Sequence, residues 1–292
     1  MRPTAKSLIL DLLTTVPGTS VPVQFLVEAA AMFGIDSNSV RVALTRLGAR
    51  GLIESEKRGQ YHLGATTAGV VDTVSAWRLG ERRRTRWDGG WFAVNTASLK
   101  RSDRRTMTQV ERALRLLGLA ELDRGLFIRA DNLAGGCTAL RSQLHRFGLP
   151  EQLPTYIISD LDECFASRAL QLWDTAALST ACRNTKAALS RSTVRLEKLL
   201  ADAADGQSTA AARAMTESFR TGGEAIRVLS RDPLLPDEIH SGVEREELVR
   251  TLRAYDALGR TCWSPLMKRH GLPHRRAPRD VAAYEPVAIA TS

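Results

Sequence analysis

Cysteine is scarce in this 292-residue chain, and none of its four cysteines lies in a C-x-x-C pair. They are spread over more than a hundred residues, at Cys137, Cys164, Cys182 and Cys262. This spacing indicates neither a zinc knuckle nor a disulfide framework. Isolated cysteines are most often small buried hydrophobic residues, so we expect structural rather than reactive thiols.

Long hydrophobic runs are missing too. The longest apolar stretches, such as residues 29–33, fall far short of the roughly 20 residues that a membrane-spanning helix needs. The first 13 residues place Asp11 inside their only apolar segment and show no small-residue cleavage site, which argues against a secretory signal. We therefore expect a cytoplasmic protein with no membrane partner.

The familiar motifs of enzymes are absent from the sequence. It contains no G-x-S-x-G, H-E-x-x-H, Walker or G-x-G-x-x-G pattern. Of its five histidines, only His270 and His274 have a metal-binding spacing, and Gly271 and Pro273 interrupt a shared helical face. We therefore expect a protein that is not an enzyme and that has no cofactor and no metal site.

The positive charge of the chain is concentrated near its N-terminus. The composition, with 43% hydrophobic and 25% charged residues, is that of a globular protein, and the net charge is +9. Residues 1–86 carry 12 basic and 7 acidic side chains, so this part holds more than half of the excess positive charge of the whole chain. A basic N-terminal part on a nearly neutral body indicates a polyanionic partner.

The first 65 residues have the pattern of a winged helix-turn-helix. Apolar spacing predicts helices over residues 4–13 and 22–33, and a third helix with Val40, Ala43, Leu44 and Leu47 on one face. Two short strands, residues 52–56 and 60–63, flank the basic turn Lys57-Arg58-Gly59. Three helices followed by a hairpin in so short a span are more specific than any one of these elements alone.

The outer face of the third helix suits the major groove of DNA. Asparagine and arginine there can form paired hydrogen bonds with purine edges, while small side chains allow close approach. The alternative is a polar face that is merely solvated. With the hairpin included, the predicted DNA-binding residues are Ser37, Asn38, Arg41, Val42, Thr45, Arg46, Lys57, Arg58 and Gln60.

The rest of the chain divides into a linker, a mixed segment and a helical segment. A helix over residues 66–79 leads into the arginine-rich residues 81–86, which either grip phosphates or form a solvated linker. The next elements follow the order β-α-β-β-α-β of a ferredoxin-like fold, with strands over residues 91–96, 119–122, 125–129 and 155–159 and helices over 106–117 and 133–147. Further helices are predicted over residues 170–190, 193–204, 210–229 and 244–270.

These patterns predict an α+β protein with three domains and a tail. Residues 1–86 form a winged-helix DNA-binding domain, 87–168 a ferredoxin-like (βαββαβ) middle domain, 169–272 a C-terminal helical domain, and 273–292 a frayed tail.

Several stretches resemble the PaaX family, repressors named for the phenylacetic acid catabolic operon. The matching residues run in family order as Lys6-Ser7-Leu8-Ile9-Leu10-Asp11-Leu12, Ser39-Val40-Arg41-Val42-Ala43-Leu44-Thr45-Arg46-Leu47, Gly51-Leu52-Ile53, Trp87-Asp88-Gly89-Gly90-Trp91, Leu116-Leu117-Gly118-Leu119, Gly125-Leu126-Phe127-Ile128 and Arg231-Asp232-Pro233-Leu234-Leu235-Pro236. The resemblance implies a homodimeric repressor that leaves double-stranded operator DNA when an aromatic effector, usually an aryl-CoA thioester, binds. With this function, residues 169–272 are expected to serve effector binding and dimerisation. The operator-reading helix of the family maps onto residues 37–50.

An aryl-CoA effector needs an apolar slot for its ring and cations for its phosphates. Two groups of residues offer both, namely Trp87, Trp91, Arg104 and Arg105, and the region 219–231 with Arg220, Arg227 and Arg231. The alternative for both groups is core aromatic residues beside solvated arginines.

Two other function classes remain as alternatives. The resemblance also relates the middle domain to the nucleases of CRISPR adaptation, in which an aspartate ends the first strand. Asn95 is near that position here and is a poor ligand for Mg²⁺. A protein-binding adaptor without DNA specificity is the second alternative, and the basic hairpin argues against it.

Overall fold

The computed structural model of the chain describes residues 3–16, 18–65, 67, 75–99, 103–150, 153–204 and 208–273. Most of the predicted helix 66–79, all but the first residue of the tail, and His274 lie outside the described residues. The chain is a mixed α+β protein with a helical C-terminal region. Across the described segments, no helix combines the length and the hydrophobicity needed to cross a membrane.

The chain forms two compact units. The first comprises Met1–Gly64, Arg191–Gly222 and Arg253–Ser292, and the second comprises Ala65–Ser190 and Gly223–Leu252. The three longest helices each contribute residues to both units.

The N-terminal part of the first unit contains three helices and a small sheet. The helices are α1 (Ala5–Thr14), α2 (Val23–Ala31) and α3 (Ser37–Gly48), and the strands are β1 (Val21–Pro22), β2 (Ile53–Glu54) and β3 (Gln60–Leu63). The strand order is β1-β3-β2 and every pairing is antiparallel. Strand β1 has only two residues, too few for an alternating pattern, and was not predicted.

The helices of this part bury the apolar stripes seen in the sequence. Leu8 and Leu12 of α1, Leu26 of α2, and Val40 and Leu47 of α3 are all at most 2% exposed. Helix α1 begins at Thr4, whose side-chain oxygen accepts a hydrogen bond from the Ser7 backbone N–H. These stripes fix which face of each helix remains in solvent.

The second unit is built on a four-stranded antiparallel sheet. In chain order its elements are β4 (Trp91–Asn95), α4 (Arg104–Leu116), β5 (Ala120–Asp123), β6 (Leu126–Ala130), α5 (Gly136–Arg146) and β7 (Thr155–Ile158). The strand order is β5-β6-β4-β7. A bulge between Glu121 and Asp123 interrupts the pairing of β5 with β6.

Both faces of this sheet are covered by apolar side chains. On one face, Phe92 and Val94 pack with residues of α4 and α5, among them Leu114 and Leu140. On the other face, Trp91 and Ala93 pack with residues that include Ala169 and Trp173. Successive residues of β4 therefore point to opposite cores, as the near-continuous apolar run at the start of this strand indicates.

The C-terminal helices correct two predictions. Helix α6 spans Glu163–Leu170 and helix α7 spans Thr175–Ala204, followed by α8 (Ser208–Arg231) and α9 (Val243–Arg269). The predicted helix 170–190 is wrong at its start, because Asp174 accepts a hydrogen bond from the Ala177 N–H and caps a new helix there. The predicted break before residue 193 is also wrong, because Ser192 lies buried inside the continuous α7.

The segment before the sheet is a 3₁₀ helix rather than the end of an α-helix. It spans Ala76–Arg83 and contains Gly80 at φ +54° and ψ −132°, a conformation outside the helical region. Glycine at this position permits a kink that most other residues would resist. The following Arg84 forms an isolated bridge with Leu133, which ties this segment to the loop between β6 and α5.

Candidate nucleic-acid interface

Helix α3 presents a solvent-exposed face opposite its buried stripe. Val40, Ala43, Leu44 and Leu47 are buried and fix the rotation of the helix about its axis. The residues predicted to read DNA lie on the exposed side, namely Ser37, Asn38, Arg41, Val42, Thr45 and Arg46. Val42, on the same side, is 41% exposed.

The start of α3 is held by Asp36. One carboxylate oxygen of Asp36 accepts a hydrogen bond from the Ser39 N–H at 2.8 Å, and the other accepts one from the Ser39 hydroxyl at 2.7 Å. These hydrogen bonds to Ser39 hold the pKa of the Asp36 carboxyl below its usual value. Within α3 itself there is no acidic residue, so the charged groups along its exposed side are the guanidinium groups of Arg41 and Arg46.

The hairpin between β2 and β3 is anchored at both ends of its turn. The Gln60 N–H donates to the Lys57 carbonyl at 2.9 Å, and the Gly59 carbonyl accepts from Val23 N–H at 2.8 Å. Gly59 has φ +80°, which favours glycine over residues with a side chain. Lys57 and Arg58 are exposed at the tip, while Gln60 is half-buried. The hairpin thus presents two cations on a fixed turn.

The exposed groups offer two kinds of contact to a polyanion. Arg41 and Arg46 extend from a helix whose exposed face has mostly small side chains, which allows close approach to base edges. The hairpin cations, Lys57 and Arg58, can neutralise phosphates without reading sequence. Glu54 and Glu56 are exposed on the same hairpin and oppose phosphate binding, so its positive charge is confined to the tip.

The predicted effector residues Trp87 and Trp91 pack against each other. Trp91 is 4% exposed, and its ring packs edge-on against Trp87 and parallel to Trp173, with centroids 5.1 and 6.4 Å away. The Trp87 indole N–H donates to the Gly90 carbonyl at 2.6 Å. Trp91 is therefore a core residue, and Trp87 is half-buried against it.

The predicted effector arginines have different surroundings. Arg220 lies over the Phe33 ring in the first unit, at 5.7 Å from the centroid. In the second unit, Arg227 forms an ion pair with Glu224, and Arg231 lines a cavity. Arg104 is exposed in the first turn of α4, and the side chain of Arg105 lies outside the described part of the chain.

In the arginine-rich segment after Gly80, Arg84 fits neither predicted role, a phosphate contact or part of a solvated linker. This side chain is 14% exposed and pairs with Glu81 at 2.8 Å and with Asp237 at 2.9 Å. Glu81 in turn accepts a hydrogen bond from Arg245 at 2.8 Å. Sequence reasoning missed this network because its members come from segments far apart in the chain.

Asn95 is the residue on which the nuclease alternative depends, because it lies near the position of the aspartate in the related nucleases. The Asn95 side-chain oxygen accepts a hydrogen bond from the Ala97 N–H at 2.8 Å, so it is engaged in a turn after β4. Over the ranges that the structure describes, no three His, Cys, Asp or Glu side chains cluster as a metal site would require.

The cysteines differ in exposure. Cys182 and Cys262 are buried, and burial raises their pKa values to about 12 and about 11, which keeps both thiols protonated at neutral pH. Cys137 is half-buried and Cys164 is exposed, so the expectation of buried cysteines fails for Cys164.

Comparison with known proteins agrees with this architecture. The chain is similar to the solved structure of the uncharacterized protein Rv0674 from Mycobacterium tuberculosis, with a TM-score of 0.56 and 22% sequence identity over 92% of this chain and 99% of that chain. At this identity the likeness shows the fold alone. A search of curated proteins finds no match to the chain. Residues 4–67, which contain α1 to α3 and the hairpin, match the family model described as PaaX-like protein, and this match confirms the PaaX-like resemblance that the sequence motifs indicate.

Proposed function

We propose that the chain is a DNA-binding transcription regulator that places α3 in the major groove. The PaaX-like match is consistent with a regulator of phenylacetic acid catabolism. The observation that carries the proposal is the exposed face of α3, on which Asn38, Arg41 and Arg46 project from a helix without acidic residues. A buried apolar stripe fixes the rotation of this helix, so the face is presented to a partner without rearrangement.

The same proposal assigns the first 64 residues to a winged helix-turn-helix. Helices α2 and α3 form the helix-turn-helix, and the hairpin of β2 and β3 is the wing that brings Lys57 and Arg58 to the phosphates. The β-α-β-β-α-β order and the strand order β5-β6-β4-β7 support a ferredoxin-like assignment for the sheet of the second unit.

We propose further that the regulator acts as a homodimer. One DNA-binding module of this size buries roughly 600 to 1,000 Å² of surface, which is too little for tight specific binding at physiological salt. A second copy on a symmetric or repeated operator multiplies the apparent affinity. The helices after residue 170 are the proposed dimer surface. Sedimentation at micromolar concentration, with and without DNA, tests this, and a monomer under both conditions excludes it.

The regulatory direction is proposed to be repression released by an aromatic effector. An aromatic acid or aryl-CoA thioester that binds the DNA-incompetent form shifts the population away from the operator. The support for this direction is the family resemblance.

The direct test is a binding-site selection followed by measured affinities. Purified protein is incubated with random duplexes, the enriched sequence is labelled, and its affinity is measured by fluorescence anisotropy for the natural chain and for Arg46→Ala. The matched control is Arg124→Ala, which removes one exposed arginine from the turn between β5 and β6. We expect enrichment of one motif and a loss of affinity only for Arg46→Ala.

Two outcomes contradict the proposal. If no motif is enriched, the protein does not read sequence, which favours the adaptor alternative. If a motif is enriched but Arg46→Ala and Arg41→Ala both bind it like the natural chain, another surface contacts DNA.

A further inference from the structure

The second unit contains an open cleft that the DNA-binding proposal does not use. Its volume is about 380 Å³, within the range of roughly 300 to 1,000 Å³ that is usual for small-molecule sites. The cleft lies among the end of α4, strands β5 and β6, the start of α7 and the end of α8. Its apolar walls come from Leu119, Phe127, Trp173, Leu178 and Pro233.

One aromatic wall of the cleft is supported from behind. The ring of Trp173 is half-buried and stacks parallel to Trp91, with an interplanar angle of 4°. Since Trp91 is fixed in the core, Trp173 is held as a flat surface rather than as a mobile side chain. A planar apolar group can stack on such a surface.

The floor of the cleft is rigid as well. A Cβ atom at Gly118, which has φ +79°, would lie 2.9 Å from the Pro233 Cα atom, so glycine is required for this close packing. The buried guanidinium of Arg129 donates to the Leu117 carbonyl at 2.6 Å and to the Pro233 carbonyl at 3.1 Å. These bonds hold the α4–β5 turn against the segment that follows α8.

Arg231 supplies a positive charge at the edge of the cleft. Two carboxylates also line the cleft, and both have partners: Glu111 pairs with Arg115 at 3.2 Å, and Glu121 accepts from the Gly125 N–H at 2.8 Å. Asp232, next to Arg231 in the chain, pairs with Arg245 at 3.1 Å. In the described part of the chain, no carboxylate pairs with the exposed Arg231 side chain. Its guanidinium is therefore available to an anion.

We propose that this cleft binds a small aromatic molecule with an anionic group, whose ring stacks on Trp173 while the anion pairs with Arg231. The anion is a carboxylate in a free aromatic acid or a phosphate in an aryl-CoA thioester. The inference rests on the proposed function, for which it supplies the effector site. Arg231 was among the effector residues predicted from the sequence, whereas Trp173 was not.

The test uses the full chain without DNA, so that ligand binding is measured separately from operator binding. Phenylacetate, phenylacetyl-CoA and the neutral phenylacetamide are titrated in turn by calorimetry, with quenching of tryptophan fluorescence as a second readout. We expect at least one of the two anionic probes to bind, and the amide to bind at least tenfold more weakly, because it lacks the charge-assisted hydrogen bond. If only the thioester binds, the anionic group that pairs with Arg231 is one of its phosphates.

Variants locate the site. Arg231→Gln is expected to weaken the anionic probe about tenfold or more, and Trp173→Leu is expected to weaken it and to remove most of the quenching. The matched control is Arg250→Gln, which neutralises an exposed arginine of α9 that does not line the cleft and is expected to bind like the natural chain. Circular dichroism checks that the Trp173→Leu variant folds. If this variant does not fold, the result for Arg231→Gln alone decides the proposal.

The proposal is overturned if neither anionic probe binds, if the amide binds as well as the anions, or if Arg231→Gln binds like Arg250→Gln. None of these results changes the DNA-binding test, which uses α3 variants and no effector. Conversely, a protein that does not bind DNA can still be titrated with the aromatic probes. The two proposals can therefore be rejected independently.

Discussion

Arg245 and Asp232 form an ion pair at 3.1 Å in which the two side chains are only 2% and 3% exposed. The same guanidinium donates through Nε to Glu81 at 2.8 Å, and Asp232 also accepts the Leu234 N–H at 2.8 Å. Leu234 has φ +53°, so a residue in a left-handed conformation is held by this carboxylate. The pair thus joins the start of α9, the segment after α8 and the 3₁₀ helix within the second unit.

Removing one partner of this pair should destabilise the protein strongly. Arg245→Met leaves the Asp232 carboxylate buried without its ion pair and takes a donor from Glu81, so we expect a loss of about 3 to 5 kcal/mol in the free energy of unfolding. The matched control is Arg183→Met, whose exposed pair with Glu244 contributes about 1 kcal/mol or less. Urea unfolding followed by fluorescence measures both, and equal losses would contradict the assignment.

Acid should reduce the contribution of Glu81 to stability. Burial opposes ionisation of Glu81, but the hydrogen bonds and charges of Arg245 and Arg84 outweigh it and lower its pKa below the ordinary value of 4.5. A lowered folded-state pKa means that the ionised form stabilises the fold above pH 4.5 and that this stability is lost as the pH falls through the folded-state pKa.

Comparison of the natural chain with Glu81→Gln isolates this effect. We expect the variant to be less stable at pH 7 by roughly 1.5 to 3 kcal/mol, the range for hydrogen bonds to a charged group. The difference should shrink below pH 4.5 when urea midpoints are measured at a series of pH values. A difference that stays constant down to pH 3 would exclude the role of the Glu81 charge.

The exposed face of α3 could be predicted from sequence because its determinants are local. Val40, Leu44 and Leu47 repeat at helical spacing, and the helix that they bury has the rotation that this spacing implies. The hairpin was also readable, since Gly59 lies between two short runs of strand-forming residues. Patterns within about ten residues therefore fix which side chains face solvent.

The cleft and the ion-pair network could not be predicted in this way. Glu81 and Arg245 are 164 residues apart, and Arg129 reaches the Pro233 carbonyl across 104 residues. Nothing in the local sequence distinguishes the enclosed Trp91 from Trp173, which lines the cleft. Only the packing of the sheet against later helices separates a core aromatic residue from one that a ligand can reach.

Arginine substitutions on α3 should weaken specific DNA binding. Arg41→Ala or Arg46→Ala is expected to lose about 1 to 3 kcal/mol of binding free energy on the selected sequence if the side chain contacts a base. The loss should be smaller on unrelated DNA, since only base contacts carry sequence information. Anisotropy titrations on both duplexes measure the difference, and equal losses on the two would assign the arginine to a phosphate instead.

The wing should act through phosphates. Lys57→Ala or Arg58→Ala removes an exposed cation at the hairpin tip, so we expect weaker binding to all sequences. The slope of log affinity against log salt concentration should become shallower by about 1 for each phosphate that the variant no longer neutralises. Glu56→Gln, on the same hairpin, is the opposite control and should strengthen binding slightly. An unchanged salt slope in both cation variants would exclude the wing from the interface.

Effector and operator should oppose each other by the same factor. A ligand shifts an equilibrium only through its differential affinity for the two states, so a hundredfold loss of operator affinity corresponds to about 2.7 kcal/mol of coupling. By reciprocity, operator DNA should weaken binding of the aromatic anion a hundredfold. Calorimetric titration of the effector into free and DNA-bound protein measures this, and Arg231→Gln should need more effector to release the operator. Equal effector affinities in the free and DNA-bound protein would exclude derepression by this ligand, whatever its affinity for the cleft.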